Sequence, residues 1–77
     1  MGLFGRKQHN VEKLGAEVAE QMDSDLTPEE ANRALIAIEE IARETGYSKR
    51  VAEDITGEAF RAWLVRTSQA HKYPEIF

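Results

Sequence analysis

The run from Leu26 to Gly46 constrains this chain most, because it carries a helix signalled at both ends. Thr27 can cap it, Pro28 suits its first position, and Glu30 can return a bond to the backbone of Thr27 in a capping box. Glu29 and Glu30 also stand at the positive end of the helix dipole. Gly46 stands where a left-handed residue ends a helix. Between these ends Ala31, Ala34, Leu35, Ile38, Ile41 and Ala42 recur at helical spacing as one apolar stripe. Ile36 points away from it as a lone exposed residue. Leu26, just before the cap, can pack on Ala31 as a hydrophobic staple.

Two further helices flank this one. Asn10 can cap a first helix running to about Met22, with Val11, Leu14, Val18 and Met22 on its apolar side. Gly15 and Ala19 lie at the edge of that side. Gly15 costs about 1 kcal/mol relative to alanine in a helix interior, and it lets a second helix come close. Asp23-Ser24-Asp25 reads as a turn. Ser48 can cap a third helix in which Val51, Ala52, Ile55, Ala59, Ala62 and Trp63 form the stripe. That stripe survives across Gly57, so the helix is expected to continue to about Ala70 and to span roughly 33 Å. Residues 59–65 are apolar on nearly every side and need more than one neighbour, or a second copy of the chain. Residues 71–77 are expected to be an extended, non-helical tail, because Pro74 forbids a helix there. Its apolar Tyr73, Ile76 and Phe77 are expected to pack on the domain or a partner. Residues 1–9 read as a flexible arm, in which Leu3 and Phe4 could touch a membrane or a partner groove.

The fold class is therefore all-α: a single domain, 1–77, built as a three-helix bundle or helical hairpin with a long C-terminal helix. A chain of 77 residues buries only a modest core. It has no cysteine, which excludes disulfides and thiolate zinc sites. The first residues lack the apolar core of a secretory signal, and Arg6 breaks the myristoylation pattern. No apolar run approaches the roughly 20 residues that span a bilayer. A cytoplasmic location is expected. Between Glu12 and Glu58 stand thirteen acidic and five basic residues. That imbalance opposes a broad phosphate-binding surface, which needs clustered lysine and arginine.

Few residues offer chemistry. Asp23-Ser24-Asp25-Leu26-Thr27 opens like a calcium loop, but Pro28 stands where glycine is needed and Ala34 where a glutamate is needed. His9 and His71 lie near opposite ends, with no His-Glu-x-x-His pattern, so no metal is expected. No serine sits in a nucleophile elbow, and no glycine-rich loop follows a strand. The paired carboxylates are adjacent in sequence and diverge on a helix. Neither an enzyme nor a cofactor is expected, and no small-molecule substrate.

Two functional readings follow. The first is a protein-interaction module, either a homodimer or a regulator docking on a larger partner. Its contacts would be Phe60, Trp63, Leu64, Tyr73, Ile76 and Phe77, since large aromatics near arginines make interface hot spots. The second rests on Ile41 to Ile55, which resembles a helix-turn-helix: Ala42 precedes the turn glycine Gly46 by four, and Ala52 and Ile55 follow at core spacing. In that reading Ser48, Lys49 and Arg50 meet DNA phosphates. Exposed Lys49, Arg50, Arg61 and Arg66 gathered on one face would favour it.

Overall fold

The computed structural model describes residues 10–76, and the arm 1–9 and Phe77 lie outside the described residues. Three α-helices form among the described residues: α1 (Val11–Gln21), α2 (Pro28–Thr45) and α3 (Lys49–Arg66). Two 3₁₀ turns follow, Ala70–Lys72 and Pro74–Ile76, and no strand occurs among the described residues. No helix there is long and apolar enough to cross a membrane.

Each helix starts where its cap residue stands. The Asn10 side chain accepts from the Lys13 N–H, and the Ser48 side chain from the Val51 N–H. At α2 the capping box is complete: Thr27 Oγ1 accepts from the Glu30 N–H at 3.1 Å, and Glu30 Oε1 accepts from the Thr27 N–H at 2.9 Å. The turn between α1 and α2 is fixed by Asp23, whose carboxylate accepts from the Asp25 N–H. It is an aspartate turn, the use expected for these residues.

Gly46 ends α2 with a φ of 121°. The Tyr47 N–H then reaches back to the Ala42 carbonyl and the Gly46 N–H to that of Arg43. The end of α3 uses the same pair of bonds without a glycine. Ser68 takes a φ of 63°, the Gln69 N–H donates to Leu64 O, and the Ser68 N–H donates to Val65 O. This is a Schellman closure with serine at the left-handed position. It stops α3 at Arg66, four residues short of the expected Ala70. Helix α3 therefore has the same 18 residues as α2 and is not the longer of the two. Ser68→Gly relieves the left-handed strain and is expected to raise stability by up to about 1 kcal/mol, read from denaturant melts.

Helix α3 is the axis of the molecule. It packs along both α1 and α2, which barely touch each other. Gly15 of α1 lies against Glu58 and Ala59 of α3. Arg66 Nη1 donates to the carbonyls of Ala19 (2.8 Å) and Met22 (3.0 Å) at the far end of α1. These contacts make α1 and α3 parallel. The Arg66 guanidinium also supplies the cation that the C-terminus of α1 lacks in its own last turn. The three-residue turn Gly46–Ser48 reverses the chain, so α2 runs the other way and its Leu35 shares a hollow with Thr56, Gly57 and Phe60.

The core joins Ala19, Met22, Ala31, Leu35, Ala59, Trp63 and Leu64, with Val18, Leu26, Ile38, Phe60, Ala62, Tyr73 and Ile76 packed against it. Leu26, expected to pack on Ala31, packs against the cluster that contains it. Trp63 is fully buried, and its indole N–H donates to Asp23 O at 3.1 Å, tying α3 to the α1–α2 turn. The tail is not the extended segment expected. Pro74, with its fixed φ, opens the second 3₁₀ turn and brings Ile76 beside Val11, Phe60 and Arg61. The apolar segment 59–65 thus finds its several neighbours within one chain: α1, α2 and the tail.

Candidate functional site

Helix α1 departs from its expected orientation. Its buried residues are Gly15 and Ala19, joined by Met22 just beyond it, while Val11, Leu14 and Val18 are only half-buried. The helix has rolled roughly a quarter turn from the expected face, because successive residues step 100° around the axis. The physical reason lies at Gly15. A Cβ there would stand 2.5 Å from Glu58 Cβ and 2.9 Å from the Ala59 backbone nitrogen. Only the small edge of α1 allows this approach, and taking it leaves Leu14 and Val18 half-buried at the margin of the core.

Leu14 and Val18 consequently form one wall of an apolar groove between α1 and α2. Ile38, Ile41 and Ala42 of α2 form the other wall, the buried Ile55 of α3 lies at its floor, and Tyr47 closes one end. Glu17 and Gln21 stand on its lip. The groove holds about 270 Å³. Ile41, expected within the buried stripe, is 60% exposed. Helix α1, with 11 residues against 18 in α2, is too short to cover the whole length of α2.

A larger depression of about 520 Å³ lies beside this groove, sharing Tyr47. Its other lining residues, Glu40, Arg43, Glu44 and Lys49, are charged and exposed. Its walls are mainly charged, and none of these four side chains is buried. The other exposed large apolar residues, Ile36 and Val65, stand apart from the groove.

The residues expected at an interface come together, but as core. Phe60 stacks near Trp63, with ring centroids 6.3 Å apart, and meets Tyr73 edge-on at 6.0 Å. Trp63 and Leu64 are both fully buried, Phe60, Tyr73 and Ile76 are half-buried, and Phe77 lies outside the described residues. Burial of Trp63 and Leu64 inside one chain leaves them no face to offer a second one. The groove residues Leu14, Val18, Ile38, Ile41 and Tyr47 were missing from the sequence-derived site. Their signal was present in the small pair Gly15 and Ala19, spaced four apart, which draws α1 in by its narrow edge.

The residues of the DNA reading are spread out. Ser48 is occupied as a cap, and Lys49 and Arg50 are exposed beside exposed Glu53 and Asp54. Arg61 pairs with Glu58, and Arg66 is bonded to the end of α1 at the opposite end of α3. These four cations form no single face. His71 is exposed, and His9 lies outside the described residues. Among the described residues no group of three histidine, aspartate or glutamate side chains could hold a metal, and no buried side-chain N or O atom lacks a hydrogen-bond partner. No protein-family model matches the chain, and no curated protein or solved structure matches it.

Proposed function

We propose that this chain is a small non-enzymatic interaction module of the cytoplasm that docks a protein partner in the groove between α1 and α2. One observation carries the reading: apolar side chains of two helices face a gap that α3 floors but that no described segment fills. Exposed apolar surface concentrated in a concave site is what distinguishes a docking surface from scattered surface residues. Leu14 and Val18 face the gap because α1 packs by its small edge, so the groove follows from how the fold is built.

Ile41→Asp and Val65→Asp test this, since both residues are similarly exposed, at 60% and 59%, and each substitution is expected to leave the fold intact. Tagged wild-type chain and both variants would be used to recover partners from extracts of the source cells. A protein retained by wild type and by Val65→Asp but lost with Ile41→Asp is the expected result. Equal retention by all three overturns the groove as the docking site.

A further inference from the structure

We infer that residues 70–76 form a strap over α3 that opens as one unit while the three helices stay folded. Polar ties to the helices stop at Gln69, whose N–H donates to Leu64 O at 2.7 Å. Beyond it the tail bonds only to itself among the described residues: the Lys72 N–H donates to Gln69 O, the Tyr73 N–H to Ala70 O and the Ile76 N–H to Tyr73 O. No salt bridge or side-chain hydrogen bond joins residues 70–76 to a helix among the described residues. Apolar contact does the holding. Tyr73 meets Phe60 edge-on at 6.0 Å, and Tyr73 and Ile76 both pack against the core cluster. His71, Lys72, Pro74 and Glu75 are exposed.

Contacts of this kind are non-directional, and they part without stranding a buried polar group. Single 3₁₀ turns have poor bond geometry and do not hold in water without packing behind them, so release of Tyr73 and Ile76 melts both turns in one step. The helices keep their own ties, with Trp63 bonded to Asp23 O and Arg66 to the end of α1. The strap is therefore the low-stability unit of the fold. Its opening changes the surface. Ile76 forms part of the wall of two hollows along α1 and α3, of about 450 and 410 Å³, which also share Glu12, Glu58 and Arg61. Departure of Ile76 opens these into each other, and Phe60, which lines the first, loses Tyr73 as its cover. The closed strap thus masks an aromatic face of α3, and no residue of the α1–α2 groove takes part.

Native-state hydrogen exchange of the full chain, followed by NMR at a series of low urea concentrations, tests this. The Lys72, Tyr73 and Ile76 amides are expected to share one protection factor within about threefold, at least about a hundredfold below those of Ala59 and Trp63. They are expected to respond only weakly to urea, because strap opening exposes little surface. Tyr73→Ser is expected to lower the protection of Lys72 and Ile76 together, by at least about fivefold, while the helical circular dichroism stays. Strap amides with the protection and urea dependence of α3 overturn the inference, since the tail would then belong to one cooperative core. Protection that falls stepwise from Lys72 to Ile76, or a Tyr73→Ser effect confined to residue 73, overturns it equally, since the end would then fray residue by residue. Strap amides with no protection at all overturn the closed strap itself.

Discussion

Trp63→Ala is expected to remove a large share of this chain's stability. The indole is fully buried at the point where α3, the α1–α2 turn and Phe60 meet. Truncating a buried tryptophan costs about 3–5 kcal/mol through lost burial and the cavity left behind. It also strips Asp23 O of its indole donor. A domain of this length has roughly 4–12 kcal/mol in total, at about 0.05–0.15 kcal/mol per residue. Thermal melts followed by circular dichroism check this, and a loss of less than about 5 °C would contradict it. Trp63→Phe keeps most of the volume and is expected to retain the fold at reduced stability, which separates packing from the hydrogen bond.

Gly15→Ala and Gly57→Ala are expected to move stability in opposite directions. Both glycines lie inside helices, so helix propensity alone gives each substitution a gain of about 1 kcal/mol. At Gly57 nothing lies within 4 Å of the new methyl, and the gain is expected to appear in full. At Gly15 the methyl overlaps Glu58 Cβ and the Ala59 backbone, and neither can swing aside as a flexible side-chain end would. Overpacking of this kind costs about 1–3 kcal/mol, so a net loss of up to about 2 kcal/mol is expected. Urea melts of the two variants resolve the signs. A loss at Gly15 also bears on the site, because pushing α1 off α3 moves Leu14 and Val18 and reshapes the groove they line.

Local features of the sequence carried over into the structure residue by residue. The caps at Asn10, Thr27 and Ser48, the capping-box return from Glu30 and the left-handed Gly46 each involve atoms within four residues of one another, so spacing alone specifies them. Continuity of α3 through Gly57 was legible because the stripe keeps its phase across it. The end of α3 was not, since Ser68 adopts a conformation that glycine usually signals. The candidate site was harder still. An apolar stripe shows that a helix face is buried but not which of its edges meets the neighbour. Leu14 and Val18 read as core, yet they are only half-buried, and Gly15 and Ala19 take the closest contact because small residues let backbones approach more closely. In the same way Phe60, Trp63 and Leu64 exceeded what two flanking helices could bury, and the tail supplied the remaining cover through Tyr73 and Ile76.

The groove is tested most directly by methyl NMR of the full chain titrated with a 16-residue amphipathic model peptide carrying leucines at helical spacing. The account predicts shifts at Leu14, Val18, Ile38, Ile41 and Ile55, with Ile36 and Val65 left unchanged as internal controls. Shifts confined to Ile36, Val65 or Ile76, with the five groove methyls silent, would contradict it and place the docking surface elsewhere on the molecule.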